Sequence, residues 1–157
     1  MGCPCPNWST KEGPELPSFV LDCSVTLPWF FEDEEDGYAE AVLHLLAREA
    51  ATTPALWPLE VVNGLIGAER RGRLAAGDVA NALAMLTELD IEVEERSPAP
   101  SAIHALATQY GLTAYDAAYL ELALRENLPL ATNDHDLARA AERAGVGNLK
   151  ILPDDGP

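Results

Sequence analysis

Positive charge is scarce in this chain. Its 157 residues carry 10 Lys and Arg against 26 Asp and Glu, a formal net charge of −16 at pH 7. A surface so acidic repels polyanions, which argues against a simple nucleic-acid binding module. An enzyme that recruits cations to meet phosphate remains compatible with it. Long apolar runs are also lacking: none approaches the ~20 residues that span a membrane. The N-terminus shows no charged stretch followed by an apolar one, so the expected setting is cytoplasmic, without membrane contact. Met1-Gly2 does not open a myristoylation motif, because Pro6 stands where Ser or Thr is needed.

Cysteine and histidine are sparse too, with three of each. Cys3 and Cys5 are too few and too close for a four-ligand zinc site, and the odd count with Cys23 suggests reduced thiols. His44 and His104 fall within amphipathic helical patterns and read as ordinary surface or boundary residues. His135, between Asp134 and Asp136, is a candidate substrate contact. No P-loop exists, since Gly64, Gly67 and Gly72 precede no Lys-Ser or Lys-Thr. Gly64 and Gly67 follow Glu60 on one helix face and read as sites of close helix packing.

What is present is a globular composition, 48% hydrophobic, of a length that suits one domain. Residues 1–17 hold four prolines and no periodicity; they read as a loose extension or a foreign remnant, with a single domain over 18–153. Apolar or alternating runs predict strands at 18–22, 52–56, 91–94, 128–132 and 149–152. Helical patterns cover 38–50, 57–72, 77–88, 98–110, 113–127 and 134–144. Pro58 suits the start of the second helix and Asp78 is an expected N-cap of the third. Thr113 and Asp116 fit a capping box, and Gly111 and Gly145 close helices. The acidic run 32–36 reads as a solvated helix N-terminus. Strands alternating with helices predict a three-layer α/β/α fold around a central, mostly parallel sheet.

Four acids sit where buried elements give way to helices: Asp22 in FVLDCS, Glu60 in WPLEVVNGL, Asp116 in LTAYDAAYLELA and Asp134 in LPLATNDHDLARAA. In a parallel α/β sheet, ligands bind outside the carboxyl ends of the strands. Asp22 and Asp134 follow strands and belong at that edge, and Glu60 reaches it by a short turn. Periodicity alone does not place Asp116 there. Helix capping accounts for any one of Glu60, Asp116 or Asp134. Asp22 is harder to explain that way, because an acid ending a buried strand is costly unless paired, hydrogen-bonded or bound to a metal. Converging carboxylates are hard ligands that suit Mg²⁺ or Mn²⁺. Ser24 either caps a helix or hydrogen-bonds near Asp22. A basic cluster, Arg70, Arg71 and Arg73, either guides a polyanion or finishes a helix.

At these residues the chain resembles the PIN-domain ribonucleases, and among them the VapC-type toxins of bacterial toxin–antitoxin pairs. The resemblance spans 18–152 and rests on VLDCSVTLPWF, PLEVVNGL, LTAYDAAYLELA and LPLATNDHDLARAA, where Thr132-Asn133-Asp134 fits the family's Thr-x-Asp. It implies an endoribonuclease in which Asp22, Glu60, Asp116 and Asp134 hold Mg²⁺ or Mn²⁺ and a metal-activated water attacks the RNA phosphodiester. Asp136 is a possible fifth acid, and Ser24 and Thr132 support the ligands. The resemblance further implies a homodimer inhibited by a cognate antitoxin. A haloacid-dehalogenase phosphatase also ends its first strand in Asp but needs a second Asp where Ser24 stands. The remaining alternative is a non-catalytic PIN-like partner-binding or regulatory module.

Overall fold

Among the described residues, four short strands form the sheet: β1 (Pro17–Leu21), β2 (Ala50–Thr53), β3 (Ile91–Val93) and β4 (Leu130–Ala131). A computed structural model describes residues 16–152; most of the expected extension, and residues 153–157, lie outside the described residues. Every pairing is parallel, in the order β3-β2-β1-β4. Phe19, Val20 and Leu21 are fully buried and β2 is buried throughout, as expected for strands covered on both faces.

The helices are α1 (Cys23–Thr26), α2 (Gly37–Leu45), α3 (Trp57–Arg70), α4 (Ala76–Glu88), α5 (Pro100–Tyr110), α6 (Ala114–Glu126) and α7 (His135–Arg143). The chain steps from β1 to β2 to β3 in one direction, then crosses back past β1 to β4. Right-handed crossovers therefore place α1 to α4 on one face and α5 and α6 on the other. The packing agrees: α3 meets α1 and α4, whereas α6 meets α5 and α7. The connections after β1 and β4 thus leave to opposite faces, and this opens a crevice at their carboxyl ends.

Several expected boundaries move. The first strand stops at Leu21, and Asp22 occupies the N-cap of an unforeseen short helix, α1, that runs into a 3-10 turn at Leu27–Phe30. The first long helix ends at Leu45 rather than near Ala50. Its tail tightens as Ala47 and Arg48 bond the carbonyls three residues back, and Ala50 then joins β2 opposite Pro17. Small alanines suit a helix, but they also fit a sheet sandwiched between two helical layers. The expected strand at 52–56 is displaced accordingly, and Pro54 ends it. The α4 N-cap is Ala75, not Asp78; the Asp78 carboxylate instead accepts from the Ala75 N–H at 3.0 Å. The expected final strand reduces to a single bridge between Asn148 and Leu130.

Other expectations match. Gly111 adopts a left-handed conformation, φ 68°, closing α5. Gly64 lies against Leu27 so closely that an added Cβ would come within 2.5 Å of its Cδ1. This is the close packing expected of that glycine.

Candidate active site

Asp22 is 5% exposed. Although it stands at a helix N-cap, its side chain makes no capping bond. Instead the Ser24 hydroxyl donates to Oδ2 at 2.6 Å and the Thr132 hydroxyl donates to the same atom at 2.7 Å. Burial pushes the Asp22 carboxyl above its usual range; the Ser24 and Thr132 hydroxyls oppose that, and the charge of Asp134 adds to it.

Thr132 also accepts from the Asp134 N–H at 3.0 Å, and Ser24 Oγ accepts from the Asn133 N–H at 2.9 Å. The segment after β4 is thereby stitched to the segment after β1. Asn133 extends the stitching: its side-chain amide donates to the Ser24 carbonyl at 3.3 Å and to Asp36 Oδ2 at 2.5 Å. Asp36 caps α2 by accepting from the Ala39 N–H at 2.9 Å. Sequence reasoning missed this role of Asn133, and only its place inside Thr-x-Asp hints at it.

Glu60 and Asp116 enter from helices on opposite faces of the sheet. Glu60 lies in the first turn of α3 and accepts from the Tyr119 hydroxyl at 2.6 Å. Asp116 lies in the first turn of α6, where Thr113 Oγ1 accepts from its backbone N–H at 3.1 Å. Capping therefore uses the backbone of Asp116. Burial raises the Glu60 carboxyl, with the charges of Asp22 and Asp116 adding to it. Burial also raises the Asp116 carboxyl; the Thr113 hydroxyl opposes that, and the charges of Asp134, Asp22 and Asp136 add to it. Asp22 thus feels the charge of Asp134, Glu60 those of Asp22 and Asp116, and Asp116 those of Asp134 and Asp22, near the β1/β4 crevice.

Asp134 has a second duty, since its Oδ1 accepts from the Leu137 N–H at 2.8 Å and caps α7. Asp136 is exposed and ion-paired to Arg139. His135, His44 and His104 are all exposed. Cys23 is buried, and its thiol is pushed up to about 12, first by burial and then by Glu60 and Asp22. It is protonated at neutral pH and a poor nucleophile. Of the arginine cluster, Arg73 is already engaged: it reaches Asp33 at 2.9 Å and Glu34 at 3.0 Å and stacks over Phe31.

A set of hard oxygen donors whose charges oppose one another fits a divalent cation, which would relieve that opposition. Among the described residues, no three acidic, histidine or cysteine side chains are already drawn into a coordinating cluster. A cavity of about 300 Å³ lies elsewhere, between the start of α3 and the middle of α6, lined by Leu59, Ala118, Leu122 and Arg125 and by none of the four acids.

Residues 19–143 match the PIN domain family. The chain belongs to the PIN-domain family. It is 33% identical over 121 residues to Ribonuclease VapC3 from Pyrobaculum aerophilum, an alignment covering 76% of this chain and 91% of that protein. The crystal structure of PAE2754 from Pyrobaculum aerophilum superposes with a TM-score of 0.64 at 21% identity, over 82% of this chain and 87% of that one. The three-layer PIN fold expected from the sequence is therefore the fold observed, with Asp22, Glu60, Asp116 and Asp134 all inside the matched span.

Proposed function

We propose that this PIN-domain chain is a metal-dependent endoribonuclease and the toxin of a type II toxin–antitoxin pair. The observation that carries this reading is the convergence of Asp22, Glu60, Asp116 and Asp134 at the β1/β4 crevice, with Asp22 buried and spared from capping. The likeness to Ribonuclease VapC3 along most of both chains supports the substrate class.

Each residue has a definite task. Ser24 and Thr132 fix the Asp22 carboxylate through one oxygen. Glu60 and Asp116 close the crevice from the two helical layers, and Asp134 completes it while capping α7. These four would hold Mg²⁺ or Mn²⁺, with Asp136 beside them. When bound, such a cation would lower the pKa of a coordinated water, so that it loses a proton and becomes a nucleophile for phosphorus, and would offset charge on the phosphodiester. Asp116 lies in the first turn of α6 and Asp134 is the N-cap of α7, so the backbone at the two helix starts fixes where these two acids stand.

The same acidity suits an inhibitory antitoxin, because a carboxylate cluster receives a guanidinium group well. A cognate antitoxin, a homodimeric state and a cytoplasmic setting belong to this reading. Among the described residues no helix is long and apolar enough to cross a membrane.

The alternative is a non-catalytic partner-binding module. One assay separates the two. Purified protein, free of any antitoxin, is incubated with total and transfer RNA in Mg²⁺, Mn²⁺ or EDTA, beside Asp22→Asn. Cleavage that needs metal and disappears in the variant supports the nuclease. A folded protein that leaves every RNA intact under all three conditions supports the partner-binding module.

A further inference from the structure

Tyr119 is the largest fully buried side chain of the described residues, yet it carries a polar hydroxyl. A buried phenol needs a partner, and this one donates to Glu60 Oε1 at 2.6 Å. The partner comes from a distant element. Glu60 is in the first turn of α3, on one face of the sheet, and Tyr119 is in α6, which packs on the other. Tyr119 also follows Asp116 by three residues, so the two share one side of α6. A single helix therefore presents one proposed metal ligand directly and grips a second through a hydroxyl.

The alternative is that Tyr119 merely fills the core. Its ring does pack in the hydrophobic cluster with Leu120, Leu122 and Ala123. Phenylalanine would fill that space equally, and the short contact to a half-buried carboxylate is what distinguishes the tyrosine. Glu60 has a long flexible side chain, and no other side chain hydrogen-bonds its carboxylate among the described residues. Without the phenol, its rotamers are set by repulsion from Asp22 and Asp116. With it, one oxygen is fixed and the other is left for coordination. Groups that orient a ligand in this way stabilise bound metal by restricting the ligand to its binding geometry.

We propose that Tyr119 is a positioning residue for the metal site: its hydroxyl holds Glu60 facing Asp22 and Asp116 in the arrangement that binds a divalent cation. This rests on the metal-dependent nuclease reading.

The test is a Mn²⁺ titration of the full chain by calorimetry, with Tyr119→Phe, Glu60→Ala and the double variant, each checked for folding by a thermal melt in EDTA. Tyr119→Phe is expected to weaken Mn²⁺ binding by roughly 10- to 100-fold. In the Glu60→Ala background the same substitution is expected to change nothing further, because the tyrosine acts through Glu60. Unchanged affinity in Tyr119→Phe, or an equal loss in both backgrounds, overturns the proposal while leaving the metal site intact. No saturable Mn²⁺ binding by the unsubstituted chain overturns the metal reading itself, and this proposal with it. Should Tyr119→Phe fail to fold, the ultraviolet tyrosine difference spectrum on adding Mg²⁺ decides. A perturbation that vanishes in Glu60→Ala supports the grip on Glu60, and an identical spectrum in both proteins contradicts it.

Discussion

Thr132 donates its hydroxyl to Asp22 Oδ2 at 2.7 Å, joining the carboxyl end of β4 to that of β1. The bond does two things at once. It partners a carboxylate that is 5% exposed, and it sets the spacing between the two strand ends from which Asp22 and Asp134 project.

Replacing Thr132 by valine keeps the shape and removes the hydroxyl. Asp22 keeps Ser24 as a donor, and the Asp134 N–H loses its acceptor. The expected cost is about 1–3 kcal/mol of unfolding free energy. Urea unfolding in EDTA measures it, and an unchanged midpoint would show that the bond contributes nothing.

Asp116→Asn separates structure from chemistry. The helix cap uses the backbone N–H of residue 116 and the Thr113 hydroxyl, both retained in the variant. RNA cleavage is expected to fall by about 100-fold or more, the scale of removing one well-placed charged group from a site. The melting temperature in EDTA is expected to stay close to that of the unsubstituted protein. Near-normal cleavage would remove Asp116 from the site.

The acids also give the metal-free protein a pH dependence of definite sign. Asp22, Glu60 and Asp116 are all held above their ordinary values of 3.8 for Asp and 4.5 for Glu, first by burial. The folded chain therefore keeps protons that the unfolded chain has released. Stability contributed by these groups is present below the ordinary values and is lost as pH rises through the raised ones. Two carboxylates held low act in the opposite direction: Asp33, through the Arg73 guanidinium, and Glu94, first through the Arg96 backbone N–H and then through Arg125. The comparison with Asp22→Asn isolates the site: thermal melts in EDTA from about pH 4 to about pH 7 should show a smaller loss of stability in the variant than in the parent. Adding Mg²⁺ at neutral pH should raise the melting temperature of the parent more than that of the variant. Parallel pH profiles would contradict the placement of Asp22.

Arg73 is tied to Asp33 and Glu34 and lies over Phe31, so it is not free to guide RNA. Arg73→Ala is expected to lower the melting temperature slightly, by less at high salt, and to leave the KM for RNA unchanged. A clear rise in KM would return Arg73 to the substrate path.

The sequence placed the four acids relative to the sheet better than it placed the ends of the elements. Asp22 and Asp134 were legible because each follows a strand, and parallel topology sends strand ends to one edge. Asp116 lies between two helices, α5 and α6, where no periodicity reports its distance from a sheet edge; only the resemblance to PIN domains pointed to it. Tyr119 went unread because an aromatic inside an apolar helix looks like core, which its ring is. Its spacing of three from Asp116 was the available signal. The end of α2 was misplaced because Ala47, Ala50 and Ala51 suit a helix, while pairing with β1 is a long-range term that local propensity does not contain. The strand expected at 149–152 failed for a related reason: β4 is only two residues long, and the chain bridges to it at Asn148, just before the apolar run.

The central claim is that Asp22, Glu60, Asp116 and Asp134 together hold one divalent-cation site. Anomalous diffraction from crystals soaked in Mn²⁺ tests it most directly. The account predicts a manganese peak in the β1/β4 crevice within coordinating distance of carboxylate oxygens from these residues, absent in Asp22→Asn crystals treated alike. Manganese bound only elsewhere, or a crevice that stays without it at saturating concentration, would contradict the account.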